Sequence, residues 1–293
     1  MLLFFTPYTF LFLSFYFLFL LFMFSCSNFV IFWVFMEFII LIFMGVSYTL
    51  FLNNFSSLIL YFLLQTVSSF RILLFYLYPV SILFSMFVCI KLSIFPFHFW
   101  FINICYRFPN FVLFLVSSFH KIPIFLIFLI FSPLYNFYFI VCSSILTILI
   151  SGAIMLRSLD FRAIIVSSSV GNNSWFLLSS FVDFFSFILF FSVYCFFLIL
   201  LFIEIGVFSK PLVSSLSKGN HLLLFYVIFI RGLPPFPIFF SKMYILFSII
   251  AAYSFNIYIF LFVVSSCFIL IGYVYSLAKY FTHSFSSQSL YII

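Results

Sequence analysis

Long apolar runs separated by short polar breaks dominate the pattern of this chain. A transmembrane helix needs about 20 consecutive apolar residues, and the breaks divide the 293 residues into about ten runs of that length. The pattern predicts helices at roughly 2–24, 29–52, 57–77, 80–99, 109–131, 137–156, 163–182, 184–207, 221–248 and 257–278. No stretch alternates apolar and polar residues with the period of two that a membrane β-barrel requires. We therefore expect an all-α polytopic membrane protein in which residues 1–293 form a single transmembrane domain.

Composition supports this fold class. Hydrophobic residues make up 68% of the chain and charged residues 5%, with a mean hydropathy of +1.45. So few charges cannot cover a soluble domain. The net charge of +7 comes from basic residues that stand singly between apolar runs, which indicates membrane topology rather than nucleic-acid binding. The 58 phenylalanines indicate a coding bias, because Phe and Leu serve equally well against lipid.

The basic residues segregate to one side of the predicted membrane. Connections after even-numbered helices carry Arg107, Arg157, Arg162, Lys210, Lys218 and Lys279. The odd-numbered connections carry almost none, with Arg71 as the exception. The positive-inside rule then places both termini on the inner side, which is the matrix side in a mitochondrion. The first residues lack a basic n-region and a small-residue cleavage site, so we expect an uncleaved first helix.

Four charged residues lie deep inside apolar runs: Glu37, Lys91, Lys121 and Lys242. A charge at the bilayer centre costs on the order of 2.5–3.5 kcal/mol on insertion scales and commonly marks an ion pathway. Lys121 follows Pro109 by 12 residues, about 18 Å along a helix, which is too deep for its stem to reach the interface. For Glu37, a static ion pair that only fixes helix packing remains an alternative to a role in proton movement.

Two of the charges lie beside helix-breaking sequences. Residues 231–246 read RGLPPFPIFFSKMYIL, which predicts an interruption near Gly232–Pro237 just before Lys242. KLSIFPFHFW repeats the arrangement with Lys91, Pro96 and His98, although a simple proline kink is an alternative there. Broken helices mark ion sites in transporters. Two of the predicted helices are therefore discontinuous, and His98 and His120 are additional candidates for proton transfer.

Recognisable cofactor motifs do not occur in the chain. The six cysteines include no C-x-x-C pair, and no G-x-G-x-x-G or P-loop is present. We therefore expect no metal site and no NADH, ATP, flavin or iron–sulfur site in this chain.

Several segments together resemble a known family. KLSIFPFHFWFINICYRFP and SSFHKIPIF resemble the lysine-bearing segments of the antiporter-like membrane subunits of respiratory complex I, the NADH:ubiquinone oxidoreductase. GLPPFPIFFSK, IIVSSSVGNNSW and YFLLQTVSS are similar to further segments of its chain 2 branch, in the short, Phe-rich form typical of invertebrate mitochondria. Pro237-Ile238 replaces a family glycine, and Asn172 or Asn173 stands where the family has a histidine.

The resemblance implies a function that the residues alone do not give. It implies a multi-pass protein of the mitochondrial inner membrane. Glu37, Lys91, Lys121 and Lys242 would pass protonation changes along the membrane while quinone is reduced elsewhere in the complex. Other membrane-arm subunits would be its partners, NADH, FMN, iron–sulfur clusters and ubiquinone would lie on other subunits, and phospholipid such as cardiolipin would bind at the basic loops. A structural membrane spacer without pumping and a free-standing cation/proton antiporter are the alternatives.

Overall fold

The architecture is helical throughout the part of the chain that the structure, a computed structural model, describes. That part comprises residues 7–50, 55–78, 80–130, 136–157, 161–205, 236–253, 260–272 and 274–275. Helices α1–α4 span Pro7–Phe24, Phe29–Leu50, Phe55–Leu77 and Ser81–Leu92, and α5–α7 span Phe99–Cys105, Asn110–Ser117 and Ile122–Ile130. Helices α8–α12 span Phe137–Arg157, Phe161–Val182, Phe184–Ile205, Pro237–Tyr253 and Phe260–Gly272.

Within the described ranges, six segments are long and apolar enough to cross a membrane. They are α1, α2, α3, the α6–α7 segment 110–130, α8, and residues 184–203 of α10. Large apolar side chains such as Phe10, Leu21 and Phe247 are 64–73% exposed, as expected for surfaces that face lipid tails. The prediction of an all-α polytopic membrane protein is confirmed for the described residues.

Helix α9 is as long as these spans but less apolar, and its polar residues lie inside the protein. Ser167, Asn172, Asn173 and Ser174 are each at most 3% exposed. In lipid, a buried polar side chain needs a partner within the protein, so such residues favour helix–helix packing. This explains why α9 does not face the bilayer over its whole circumference.

The chain divides into two compact units, residues 1–143 and 144–293. In the first, α2 packs against α1 and α3, α3 packs against α4 and α5, and α7 contacts α1 and α4. In the second, α9, α10 and α11 pack against one another. The expectation of a single transmembrane domain stays a prediction.

Close backbone packing in the second unit depends on glycine. A Cβ atom at Gly272 of α12 would lie 3.1 Å from the carbonyl oxygen of Gly152 of α8. A Cβ at Gly152 would lie 3.0 Å from the ring of Phe268. Small residues allow membrane helices to approach this closely, so these two glycines fix the contact between α8 and α12.

Most predicted helix boundaries agree with the structure within a few residues, but two predicted spans are not continuous. The span predicted at 80–99 ends at Leu92, and the one predicted at 109–131 is interrupted after Ser117. A short helix, α5, lies where a loop at 100–108 was predicted. The predicted interruption near Gly232–Pro237 falls mostly at positions up to 235, which are not among the described residues. Helix α11 begins at Pro237. The count of ten helices also depends in part on undescribed residues.

Candidate functional site

The first helix break follows Lys91 directly. Lys91 lies in the last turn of α4, and Ser93 then adopts a left-handed conformation with φ 59° and ψ 39°. The backbone N–H of Ser93 donates to the Ile90 carbonyl at 3.2 Å, and that of Ile94 donates to the Cys89 carbonyl at 2.9 Å. These bonds satisfy carbonyls that a helix end would otherwise leave without donors in lipid. The predicted discontinuity at this segment is confirmed.

A second break, at Lys121, was not predicted from the sequence. Helix α6 ends at Ser117, a single 3₁₀ turn covers Phe119–Lys121, and α7 begins at Ile122. Pro123 explains the interruption, because it has no N–H and its ring would clash with the Phe119 carbonyl in a continuous helix. The hydroxyls of Ser117 and Ser118 donate to the Phe114 carbonyl at 3.0 and 2.7 Å. They supply donors where the backbone ladder is interrupted.

Glu37 and Lys91 are electrostatic neighbours in the first unit. Lys91 is 6% exposed, and its charge interacts with that of Glu37. The Lys91 Nζ atom lies 3.9 Å from the Sδ atom of Met36, the residue before Glu37. The buried Lys91 side chain therefore faces the part of α2 that carries Glu37. Among the described spans, Glu37 is the only carboxylate that lies near the middle of a span.

Helix α3 contacts both members of this pair. The Ser69 hydroxyl donates to Glu37 Oε1, and the Gln65 side-chain amide donates to the Lys91 carbonyl at 3.3 Å. In the sequence, Gln65 is explained adequately by ordinary hydrogen bonding between membrane helices. The spacing of Gln65 and Ser69 on one helix gave no indication that one would contact the carboxylate and another the end of α4.

His120 occupies an aromatic cage. It is 5% exposed, its Nδ1 atom lies 3.4 Å from the Tyr16 hydroxyl, and its ring centroid lies 4.7 and 5.7 Å from those of Phe43 and Tyr61. It also interacts electrostatically with Lys91. Tyr16 is a contact that the sequence could not have revealed, because it is one of 18 tyrosines and lies 104 residues away.

Lys121 lies in the 3₁₀ turn of the second break. It is 5% exposed, and its Nζ atom lies 5.2 Å from the ring centroid of Phe101. A cation at this distance from an aromatic face gains a cation–π attraction. The break thus places an ammonium group among buried side chains at the middle of the 110–130 segment.

His98 precedes α5 at the end of the first break. It is 1% exposed, and neither ring nitrogen has a hydrogen-bond partner. Its ring stacks on that of Phe95 at a centroid distance of 6.2 Å and is tilted against that of Phe99 at 3.9 Å. Buried polar atoms are rarely left without a partner, which sets His98 apart from the other ionisable residues of the first unit.

Lys242 lies in the second unit. It lies in the second turn of α11, and its Nζ atom is 5.3 Å from the ring centroid of the buried Trp175. Both residues border a cavity of about 160 Å³. Apolar side chains form most of its wall, and Ser266 and Cys267 also line it.

The structure therefore links some of the predicted site residues and not others. Glu37, Lys91 and His120 form one electrostatic cluster, and Lys121 follows His120 in the same 3₁₀ turn. Lys242 has its own surroundings in the second unit. In the described ranges, no group of three His, Cys, Asp or Glu residues is arranged to hold a metal ion.

Together these features define a class: a polytopic helical membrane protein with buried lysines at helix breaks, typical of ion-translocating carriers and pumps. The particular family follows from residues 76–269, which match the model of the transmembrane NADH:quinone oxidoreductase/Mrp antiporter family. The chain belongs to this family.

Individual relatives agree with the family assignment. NADH-ubiquinone oxidoreductase chain 2 of Strongylocentrotus purpuratus is 30% identical over 104 residues, which cover 36% of this chain and 30% of that protein. A chain of respiratory complex I from Thermus thermophilus has a similar fold, with a TM-score of 0.66, 15% identity, and coverage of 83% of this chain and 63% of that one. The Mrp complex from Dietzia sp. DQ12-45-1b contains another, with a TM-score of 0.63, 17% identity, and coverage of 84% and 55%. The chain thus spans less than two thirds of the length of these relatives.

Proposed function

We propose that this chain is a proton-translocating membrane-arm subunit of NADH:ubiquinone oxidoreductase, of the chain 2 type. The observation that carries the proposal is a cluster of ionisable groups: half-buried Glu37 on α2, buried Lys91 at the first break, and buried His120 and Lys121 at the second. Helix breaks within a span bring polar backbone and ionisable side chains to the same depth. The family match and the chain 2 relative support the choice of complex.

The mechanism rests on charge coupling. While Lys91 carries its proton, its ammonium stabilises the Glu37 carboxylate, and loss of that proton removes the attraction. Glu37 is then favoured to take up a proton, while His120 and Lys121 experience a changed field. We assign Lys242 to a later position in the relay. Moving one proton against 100 mV costs about 2.3 kcal/mol, so the energy must come from quinone reduction on neighbouring subunits.

The same proposal covers location, partners and cofactors. The protein would lie in the mitochondrial inner membrane with both termini on the matrix side, in contact with other membrane-arm subunits. Phospholipid such as cardiolipin would bind at its basic loops. NADH, FMN, iron–sulfur clusters and ubiquinone would be held by other subunits, and His98 would take part in the relay through a water molecule.

The decisive experiment replaces the lysine of the second break. Lys121→Met keeps the length of the side chain but removes its proton-carrying group, and we expect NADH-driven proton pumping by the assembled complex to fall at least tenfold. Arg107→Gln is the matched control, because it removes one positive charge from an exposed turn. Undiminished pumping by Lys121→Met would favour the structural spacer.

The likeness to an Mrp complex chain keeps a second function open, that of a cation/proton antiporter. Isolation of the native protein separates the two. A complex I subunit copurifies with a large NADH-oxidising assembly, whereas an antiporter exchanges cations for protons in vesicles without NADH.

A further inference from the structure

Ser69 has two hydrogen-bond acceptors for one proton. The residue is fully buried on α3. Its hydroxyl lies within bonding distance of Glu37 Oε1 and also 2.8 Å from the carbonyl oxygen of Thr66. A serine hydroxyl donates a single hydrogen bond. It can therefore serve only one of these acceptors at a time.

The backbone of Ser69 is held in place by the helix that carries Glu37. The indole N–H of Trp33 donates to the Ser69 carbonyl at 2.9 Å. Trp33 and Glu37 are four residues apart on α2, so they lie on the same face of that helix. With the backbone fixed in this way, rotation of the hydroxyl is what changes the contact between Ser69 and the carboxyl group.

We propose that Ser69 is a positioning residue for Glu37. Its hydroxyl group adopts one orientation when Glu37 is an ionised carboxylate and another when Glu37 is a protonated acid. This inference rests on the proposed function, because it assumes that Glu37 gains and loses a proton during turnover.

The two orientations of the Ser69 hydroxyl group follow from which groups donate and which accept hydrogen bonds. A carboxylate only accepts hydrogen bonds, so the Ser69 hydroxyl donates to ionised Glu37. Once Glu37 takes up a proton from the relay, its own O–H donates to Ser69 Oγ. The Ser69 hydroxyl then turns to the Thr66 carbonyl. Both states are fully hydrogen-bonded, and the cycle consumes nothing except the proton that moves.

Ser68 provides a control within the same turn. Its hydroxyl donates to the Gln65 carbonyl at 2.8 Å, and the side chain is 1% exposed. Ser68→Ala therefore removes an equally buried hydroxyl from α3 without touching the carboxyl group. A purely structural role of serine in α3 would make the two positions equivalent.

Infrared difference spectroscopy of the assembled complex tests the proposal, since the carbonyl stretch of a protonated carboxyl group depends on its hydrogen bonds. Glu37→Gln identifies the band by its loss. We expect Ser69→Ala to move the band to higher frequency. Ser69→Cys, with its weaker donor, should give a smaller shift, and Ser68→Ala should leave the band in place. The rate of proton pumping should fall about tenfold in Ser69→Ala, since hydrogen bonds to charged groups are the strong ones.

Two results would count against different claims. An unchanged band in both Ser69→Ala and Ser69→Cys would overturn the role of Ser69 while leaving the proposed function intact. Undiminished pumping in Glu37→Gln would instead contradict the assignment of Glu37 to the relay, whatever the band position shows about Ser69.

Discussion

The effect of removing a buried charged side chain from this protein depends on the charged groups beside it. Lys91 is 6% exposed, and the Glu37 carboxyl group is near enough to interact with it. Glu37 is half-buried, and removing one member of such a pair leaves the other charge uncompensated, which is more damaging than removing both. Glu37 and Lys91 should therefore behave as one unit in mutagenesis.

We predict strong non-additivity between Glu37→Gln and Lys91→Met. Each single change should lower NADH-driven pumping at least tenfold, and the double variant should be no worse than the more impaired single variant. Proton uptake rates measured on the three assembled variants give the coupling. Glu37→Gln combined with Arg107→Gln is the control pair, for which the effects should simply add. Additive losses for Glu37 and Lys91 would show that the two act separately.

At the scale of elements, the sequence predicted the long helices well because each is an apolar run bounded by polar residues. The prediction of 29–52 corresponds to Phe29–Leu50, and that of 184–207 to Phe184–Ile205. The break after Lys91 was predictable from the sequence only through Pro96. The left-handed conformation of Ser93, at which α4 ends, gave no signal in the sequence. The break at Ser118–Lys121 was missed because a lone Pro123 inside an apolar run is equally compatible with a kinked helix.

The ionisable residues of the site could be predicted from the sequence, but their contacts could not. Glu37, Lys91 and Lys121 stand out as costly charges. Tyr16 and Ser69 do not, because tyrosine and serine are common in this chain and cost little at a helix interface. Which of them reach His120 and Glu37 depends on how α1, α2 and α3 rotate against one another, and an apolar pattern without a distinct polar face does not determine that rotation.

Pro123 permits a prediction about the second break. In the structure it falls in the first turn of α7, where its missing N–H costs little. Pro123→Leu restores a donor for the Phe119 carbonyl, so α6 and α7 can join and Lys121 turns to another face. We expect pumping to fall at least tenfold, with the thermal stability of the complex kept or increased.

Pro7→Leu is the matched control for this experiment. Pro7 begins α1, a position at which proline interrupts no helical hydrogen bond. This variant should pump like the unmodified protein. Full activity in Pro123→Leu would mean that the break is not needed for transport.

At the scale of the whole molecule, the predicted topology can be tested through one cysteine. Cys26 lies between α1 and α2, so matrix-side termini place it on the opposite side of the membrane. Cys142 and Cys267 are exposed within helices, where a membrane-impermeant reagent does not reach. An impermeant maleimide should therefore label Cys26 from the outer side and not from the matrix side, with Cys26→Ser as the control.

The rate of this labelling should depend on pH. Burial raises the pKa of the Cys26 thiol, and only the thiolate reacts. Labelling should therefore be slower than for a free cysteine at neutral pH and should continue to increase above the pH at which free cysteine levels off. Labelling from the matrix side would reverse the assignment of the termini.

The two breaks also determine how this protein can transmit force. A continuous helix behaves as a stiff rod, so a push at one end displaces the other. The segments 81–105 and 110–130 are each divided into two rods, at Ser93–His98 and at Ser118–Lys121. An axial push on α4 or α6 would be absorbed as bending at the joint. We therefore expect displacements to weaken along these segments, so that coupling between them relies on the electric field of the charged groups at the joints.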